Sequence, residues 1–294
     1  MNVEANKKNL KVNYKQFISH PIISLKRIIH PIFLGMMPSR RDFDLKYINE
    51  KPKVEGPVLY LVTHANSHDA PITSEALIDH FYILIGKQPL ELVDRVFFNA
   101  NGRFEVDRGD KEDGKKTAEK ITNHLKKGFN VVMYPEGTWC VKPSQPINHC
   151  KWGWVDIAKE SNATVIPIAL EYYELTDKCC YINYGKPFKV NINDSKQEKN
   201  DELEEIFTTL KYEIWTQFPQ MKRSEVDPEL WDKVMKRRYD EYPKLDKEKE
   251  KKYVMGWEND PEYVFGSPEY LTGINKVKEI YGEKISDEKE EKCR

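Results

Sequence analysis

Residues 58–71 of the chain read VLYLVTHANSHDAP, and the first six of them form a short apolar run. Such a run is typical of a strand that is buried on both faces of a sheet. Further strand-like runs lie at 80–86, 129–134, 163–173 and 180–188, and helical patterns lie at 110–127, 152–160 and 200–218. Strands that alternate with helices at this spacing predict an α/β fold, a single layered domain with a mostly parallel central sheet flanked by helices.

The composition of the 294 residues excludes several classes of protein. Lys and Arg number 47 against 48 Asp and Glu, so the net charge of −1 gives no general attraction to nucleic acid, and we expect no such partner. No stretch approaches the ~20 apolar residues of a transmembrane helix, and the N-terminus lacks the apolar region of a secretory signal. The five cysteines show no CxxC spacing, which favours a reducing compartment and predicts neither a disulfide framework nor a zinc site.

Three regions of the chain differ in composition. Residues 1–50 carry nine Lys and Arg against four Asp and Glu, a net charge of +5, and residues 17–37 within them are rich in Phe, Ile, Leu and Met. A basic amphipathic segment of this kind suits an anionic membrane lipid surface, and an arm docked on the protein's own core is an equal alternative. Residues 51–222 contain the α/β pattern and form the predicted catalytic domain. Residues 223–294 form a charged, aromatic-containing extension, for which we expect helices.

The most informative residues follow the strand at 58–63. Residues at the carboxyl end of a strand in an open α/β sheet face the crevice in which ligands bind. A helical turn at this place draws Asp69 to His64, so that the carboxylate orients the imidazole and Nε2 removes a proton from a hydroxyl. Two other interpretations stay open: His64 and Asp69 as caps of the strand and of a helix, and a metal site made of His64, His68 and Asp69.

A second segment, NGRFEVDRGD at 101–110, is predicted to be a loop before a helix. Arg103 and Arg108 in this loop form a candidate phosphate clamp, because guanidinium groups bind phosphate oxygens bidentately. The alternative is surface ion pairing with the acidic residues of the same segment, which contributes little stability.

A third segment, VVMYPEGTW at 131–139, carries a buried strand that delivers Glu136, Gly137 and Thr138 at its carboxyl end. Gly137 lets a ligand approach the backbone closely and its two neighbours offer polar contacts; the alternative is an ordinary turn. In a fourth segment, VIPIALEYY, Pro167 interrupts a strand, which indicates an edge position or a bend beside a site.

The four blocks HANSHD, GRFEVDR, YPEGT and VIPIAL stand in the order and approximate spacing of the four motifs of the glycerophospholipid acyltransferases. From about residue 51 to 190 the chain resembles this family, which includes the 1-acylglycerol-3-phosphate and lysophospholipid acyltransferases. The resemblance implies transfer of a fatty acyl group from acyl-CoA or acyl-carrier protein to a hydroxyl of a glycerophospholipid-type acceptor such as lysophosphatidate. The acyl donor is a co-substrate, and neither a cofactor nor a metal is implied.

The resemblance also implies a role for each matching residue. His64 is the general base, and Asp69 is its orienting partner. Arg108 contacts the phosphate of the acceptor, residues 136–138 bind the acceptor and shape the site, and Pro167 helps to form the acyl pocket.

This chain departs from the family pattern at two places. Trp139 follows Glu-Gly-Thr where the family usually has Arg, so one phosphate contact is missing, and Lys142 or Lys151 is a candidate to replace its charge. Arg103 and Glu105 stand where the family favours apolar residues.

The sequence thus predicts an O-acyltransferase of phospholipid biosynthesis that is peripheral on the inner, cytoplasmic face of a membrane. Two alternatives come from other classes. One is a metal-dependent hydrolase that uses His64, His68 and Asp69, and the other is a non-catalytic lipid-binding homologue.

Overall fold

The structure is a computed structural model, and it describes residues 43–77, 80–87, 90, 95–96, 98–99, 102–140, 145–173 and 178–219. Residues 1–42, which include the apolar part of the basic segment, and the extension at 223–294 lie outside the described residues. The helices are α1 (Asp69–Leu77), α2 (Lys111–Lys126), α3 (Gly153–Ser161) and α4 (Lys196–Gln217). The strands are β1 (Asp44–Tyr47), β2 (Val58–Val62), β3 (Phe81–Gly86), β4 (Arg103–Val106), β5 (Asn130–Met133), β6 (Thr164–Tyr173) and β7 (Cys179–Tyr184).

Within the described part of the chain the seven strands form one sheet in the order β1-β7-β6-β2-β5-β3-β4. Every neighbouring pair is parallel except β6 and β7. The predicted α/β fold, with a mostly parallel sheet between helices, is therefore confirmed for the described residues.

Strand β2 occupies the middle of the sheet, and all five of its residues are buried. Alternate side chains of a strand point to opposite faces. Leu59 and Leu61 belong to the core cluster that includes α2, α3 and α4, whereas Val58, Tyr60 and Val62 belong to the cluster that includes α1. The continuous apolar run of β2 reflects this cover on both faces.

Two strands at the edges of the sheet were not predicted. The expected loop at 101–110 contains β4, because Arg103–Val106 pairs in parallel with Ile83–Gly86. Strand β1 pairs with β7 and lies inside the N-terminal region 1–50, so the sheet begins before residue 51. Each of these strands has only four residues and is partly exposed, so neither shows a strong apolar pattern.

Pro167 does not lie at an edge of the sheet, because β6 has β2 on one side and β7 on the other. The Pro167 carbonyl accepts a hydrogen bond of 2.8 Å from Gly185 N, one residue beyond the end of β7. The backbone N and O of a strand residue point to the same side, so the N of Pro167 points toward the β7 side and away from β2. At this level the pairing of β6 with β7 has already ended, so the missing N–H has no strand partner to lose. No ladder bond to β2 is lost, and proline is tolerated in an interior strand.

Strands β2 to β6 all run in one direction, so their carboxyl ends lie at one edge of the sheet, which we call the carboxyl edge. Strand β7 is antiparallel to β6 and parallel to β1, so both β1 and β7 start at this edge. The predicted site residues of three sequence blocks follow strands that end there.

Candidate active site

The loops after β2 and β5 meet because these strands are neighbours that run parallel and end together. The main chain holds the two loops in contact: Cys140 N donates a hydrogen bond of 2.7 Å to the His64 carbonyl. The sheet thus brings the HANSHD and YPEGT blocks side by side at the carboxyl edge.

A histidine and a carboxylate form the centre of this site. His64 Nδ1 lies 2.6 Å from Asp69 Oδ2, which also accepts hydrogen bonds from Ala65 N at 2.6 Å and from Asn66 N at 3.0 Å. Asp69 Oδ1 accepts a bond of 2.5 Å from the Tyr172 hydroxyl. All four of these groups lie around Asp69 as hydrogen-bond donors, and the carboxylate accepts from each of them. The imidazole hydrogen is therefore on Nδ1, and the lone pair is on Nε2.

The surroundings of Asp69 also decide between two of the sequence interpretations. Asp69 is the first residue of α1, yet its side chain bonds backward to the loop between β2 and α1. A helix N-cap bonds forward to the second or third N–H of the helix. Asp69 therefore holds the His64 loop.

Two aromatic rings enclose His64. The Tyr134 ring is stacked on the imidazole with centroids 4.5 Å apart, and the Trp139 ring meets it edge-on at 6.2 Å. The Tyr134 hydroxyl donates to Thr73 Oγ1 at 3.1 Å, which fixes the stacked ring to α1. The face of an aromatic ring attracts a cation, so the stacked Tyr134 ring favours a positive charge on the imidazole. The His64 side chain keeps 19% of its surface exposed and is open to a substrate.

Glu136 is buried, with 2% of its surface exposed, and both its oxygens bind the protein's own backbone. Oε1 accepts from His64 N at 2.7 Å, and Oε2 accepts from Asn148 N at 2.6 Å. Burial raises the pKa of Glu136 to about 8, against the two N–H groups and Lys211, which lower it. In this geometry Glu136 fixes the main chain at His64; contact with an acceptor stays a prediction.

The turn after β5 places the rest of the YPEGT block. Gly137 has φ of +73°, which is unfavourable for residues with a side chain, and its N–H donates to the Tyr134 carbonyl at 2.9 Å. Lys151 is exposed and lies over this turn: a Cβ on Gly137 would come within 3.8 Å of Lys151 Cγ. Thr138 is half-buried in the same turn. Lys142, the other candidate to replace the missing Arg, lies outside the described residues.

The two arginines of the second block do not share a clamp. Arg103 starts β4, where its guanidinium donates to Glu105 Oε1 at 2.6 Å and to Asn99 Oδ1 at 2.5 Å. This is the ion pairing that the sequence left open as the alternative. Arg108 is exposed beyond the carboxyl end of β4, and a Cβ on Gly86 would lie 3.3 Å from its guanidinium. Three strand spacings of ~4.8 Å, or about 14 Å, separate β4 from β2, and the Arg108 guanidinium at Gly86 lies one strand nearer to the dyad, at the end of β3.

Pro167 lies below the site rather than in its mouth. It is buried, opposite Leu61 in the register of β2 and β6. A Cβ on Gly185 would contact both Pro167 and Leu210 of α4, which shows that Pro167 faces α4. Its predicted contact with an acyl chain stays a prediction.

A buried ion pair supports the site from α4. Lys211 Nζ lies 2.8 Å from Glu171 Oε2, and the side chains keep 7% and 13% of their surface exposed. Burial works to lower the pKa of Lys211, but the Glu171 carboxylate, together with Cys140 and Glu136, raises it above its ordinary range. Lys211 therefore keeps its positive charge beside Glu171, close enough to Glu136 to interact with its carboxyl group.

Sequence reasoning missed several residues that hold this site: Tyr134, Asn148, Glu171, Tyr172 and Lys211. Tyr172 is the hydroxyl donor to Asp69 from 103 positions away. Burial and the negative charge of Asp69 raise its pKa well above the ordinary range, so it stays a donor. What marks Tyr172 is its position on β6, beyond the level at which β2 ends. That position follows from the register of the two strands.

Two features are absent from the described residues. No group of three or more His, Cys, Asp or Glu within them is arranged to hold a metal ion. None of their helices is both long enough and apolar enough to cross a membrane.

Comparison with known proteins identifies the same region. Residues 44–171 match the model of the family described as Acyltransferase. The fold is similar to that of the 1-acyl-sn-glycerophosphate (LPA) acyltransferase PlsC from Thermotoga maritima, with a TM-score of 0.50 and 13% identity over 70% of this chain and 87% of that one. No curated protein matches the sequence. The family match spans all four sequence blocks and includes both members of the His64–Asp69 pair.

Proposed function

Because residues 44–171 match the model of the family described as Acyltransferase, we propose that the chain moves a fatty acyl group from acyl-CoA or acyl-carrier protein to a hydroxyl of a glycerophospholipid-type acceptor. The observation that carries the proposal is the 2.6 Å contact between His64 Nδ1 and Asp69 Oδ2 at the carboxyl edge. The carboxylate is saturated with donors, and the imidazole presents Nε2 to the solvent-accessible side of the site.

In the proposed reaction, His64 Nε2 takes the proton of the acceptor hydroxyl while the hydroxyl oxygen attacks the thioester carbonyl carbon. The tetrahedral intermediate then breaks its C–S bond, and the imidazolium returns the proton to the leaving thiolate. Asp69 stabilises the imidazolium from one side, and the face of Tyr134 does so from the other. Glu136 keeps the His64 backbone in place through its 2.7 Å bond.

The proposed acceptor carries a phosphate, as lysophosphatidate does. PlsC, which shares the fold, is a 1-acyl-sn-glycerophosphate acyltransferase. Trp139 stands where the family has a cation in the turn after β5, and Lys151 is the proposed replacement, because its Cγ lies 3.8 Å from the Cβ position at Gly137 and its ammonium makes no ion pair with the described residues. A lipid acceptor also places the protein at a membrane, and we propose peripheral association at the cytoplasmic face.

The test is a comparison of His64→Ala with His68→Ala. Thiol release from acyl-CoA is measured with lysophospholipids, glycerol phosphate and lipid-linked sugars as acceptors. A general base contributes roughly 10²- to 10⁴-fold, so His64→Ala loses that factor with the best acceptor. The ring of His68 contacts Phe43 at 5.2 Å, and His68→Ala keeps near-normal transfer.

Circular dichroism and urea unfolding show whether each variant is folded. A folded His64→Ala protein with near-normal transfer overturns the assignment. Equal losses in His64→Ala and His68→Ala, together with hydrolysis that depends on added divalent metal, favour the hydrolase alternative. Binding of acyl-CoA without turnover of any acceptor in the panel favours the non-catalytic alternative.

A further inference from the structure

We propose that Glu204 of α4 is a positioning residue that sets the preference of the site for an acceptor with a phosphate. It acts through residues 148–151, the segment that places the Lys151 side chain over the turn after β5. The inference deepens the proposed function and rests on it, because Lys151 is the cation proposed to bind the acceptor phosphate.

The main chain of this segment is bonded to the turn after β5 at both of its ends. Asn148 N donates to Glu136 Oε2 at 2.6 Å, and Lys151 N donates to the Pro135 carbonyl at 2.7 Å. The second bond holds the Lys151 main chain beside Gly137, whose Cβ position lies 3.8 Å from Lys151 Cγ. The Lys151 side chain therefore starts from a fixed place at the turn.

Helix α4 holds the middle of the segment at Cys150. Glu204 Oε1 accepts a hydrogen bond of 2.7 Å from Cys150 N, and Asn200 Nδ2 donates to the Cys150 carbonyl at 2.9 Å. The two side chains lie one helical turn apart and also bond each other, because Asn200 Nδ2 donates to Glu204 Oε1 at 3.2 Å. Both polar groups of the Cys150 main chain are thus bound by α4, directly before Lys151.

The α4 partners of Cys150 are themselves fixed. Asn200 keeps 4% of its surface exposed, and its Oδ1 accepts a bond of 3.1 Å from the indole of the fully buried Trp154. The Glu204 side chain is 22% exposed, and its Oε2 lies 3.2 Å from His149 Nδ1. Cys150 is buried as well, so removal of the Glu204 carboxylate leaves a buried N–H without its acceptor. The segment then has to shift to satisfy that N–H.

The place of the Lys151 ammonium determines how strongly an acceptor phosphate is bound. Charge-assisted hydrogen bonds require close approach, so a shift of the main chain before Lys151 weakens the contact with a phosphate. An acceptor without a phosphate gains nothing from this cation. A disturbance that passes through Asn148 and Glu136 to His64 slows both kinds of acceptor alike. Glu204 therefore acts on the ratio of kcat/KM for the two acceptors.

The experiment measures acyl transfer from acyl-CoA to lysophosphatidate and to a monoacylglycerol with the same acyl chain. The readout is the ratio of the two kcat/KM values, in which the fraction of folded enzyme cancels, and the KM for lysophosphatidate is measured in parallel. The full chain carries Glu204→Ala, Glu204→Gln, Lys151→Gln, or Glu204→Ala combined with Lys151→Gln. Glu202→Ala is the matched control, because Glu202 lies on the same helix, is 46% exposed and pairs with Lys199 at 2.6 Å.

Lys151→Gln is expected to lower the ratio about tenfold, which corresponds to the loss of one hydrogen bond between charged groups. Glu204→Ala is expected to lower it at least about threefold, because the shifted segment misplaces the ammonium. The double variant loses no more than Lys151→Gln alone, since Glu204 acts through a lysine that is already absent. Glu204→Gln keeps an acceptor for Cys150 N, so this variant and the control retain the ratio of the unmodified protein. The KM for lysophosphatidate rises by the same factors.

A ratio and a KM that are unchanged in Glu204→Ala overturn the inference, and so do losses that add up in the double variant. Equal losses in Glu204→Gln and Glu204→Ala overturn it too, because the charge of Glu204 and not its bond to the main chain then matters. An unmodified protein that does not prefer lysophosphatidate also contradicts it. The proposed function fails separately: it fails when the unmodified protein transfers no acyl group to any acceptor.

Discussion

Replacing Glu136 by Gln distinguishes a residue that holds the backbone from one that binds the acceptor. The family resemblance assigns Glu136 to the acceptor, whereas its two oxygens accept backbone bonds of 2.7 and 2.6 Å from His64 and Asn148. Glutamine preserves the shape but has one nitrogen in place of an oxygen, and a nitrogen donor cannot accept from an N–H. One of the two buried N–H groups therefore loses its partner.

An unsatisfied buried donor costs about 1–3 kcal/mol. Near pH 4, below both the ordinary pKa of Glu136 and its raised pKa of about 8, titration adds little to the comparison, and Glu136→Gln is expected to lower the free energy of unfolding by about 2 kcal/mol. Urea unfolding measures this loss directly. Glu136→Ala removes both acceptors and costs about twice as much, a large fraction of the ~5–15 kcal/mol of a typical domain, so Gln is the better variant. We also expect a lower kcat, because the His64 backbone is no longer held, with little change in the KM for the acceptor.

Glu105→Gln is the matched control. Glu105 is also ion-paired, at 2.6 Å from Arg103, but its side chain is 40% exposed. Its loss is expected to change the unfolding free energy by no more than about 0.5 kcal/mol. An unfolding free energy for Glu136→Gln equal to that of the unmodified protein, combined with a raised KM for the acceptor, would falsify the backbone role.

Three further predictions follow from other contacts. The pKa of Glu136 is about 8 in the folded protein against an ordinary 4.5, so between these pH values the folded state holds a proton that the unfolded state has lost. The free energy of unfolding therefore decreases as pH rises from 4.5 through 8, by up to about 1.4 kcal/mol per pH unit. Urea unfolding across this range should show a flatter pH profile for Glu136→Gln. Tyr172→Phe removes the 2.5 Å bond to Asp69 and should cost about 1.5–3 kcal/mol in urea unfolding and lower kcat without changing the KM for the acceptor; unchanged unfolding and kcat contradict this. Lys211→Met leaves Glu171 buried without its ion partner and should cost about 3–5 kcal/mol, whereas adding Glu171→Leu should recover most of that loss; an equal loss in the single and double variants contradicts a buried pair.

The departures at Trp139 and Lys151 change what surrounds the dyad. A buried tryptophan beside His64 gives the site an apolar wall where the family usually has a cation. The exposed Lys151, whose Cγ lies 3.8 Å from the Cβ position at Gly137, adds a positive charge at the same turn. The turn therefore combines an apolar surface and a cation, the two features that the proposed acceptor, with its acyl chain and phosphate, would need.

Much of the fold was predictable from local patterns. The buried strands β2, β5 and β6 were predicted from apolar runs, and α2 was predicted from the helical pattern at 110–127; in the structure Asp110 is its N-cap and accepts from Glu112 N and Asp113 N. The edge strands β1 and β4 were not predicted, because four partly exposed residues carry almost no periodicity and become strands only through pairing with β7 and β3.

The sequence by itself determined the chemistry-bearing pair and its place. An apolar strand followed by His64 and, five residues on, Asp69 indicates a base and its partner at a strand end, since both residues lie in one loop whose geometry is local. The same local reasoning placed residues 136–138 after another buried strand, and the structure makes that strand, β5, the parallel neighbour of β2.

Only the tertiary structure decided what holds the pair. Tyr172 reaches Asp69 from 103 positions away, and Lys211 reaches Glu171 across 40 positions, because strand register and helix packing bring distant segments together. The structure also gave Glu136 two backbone partners and paired Arg103 with Glu105. Register and packing depend on the whole core at once, and no short segment of the chain encodes them.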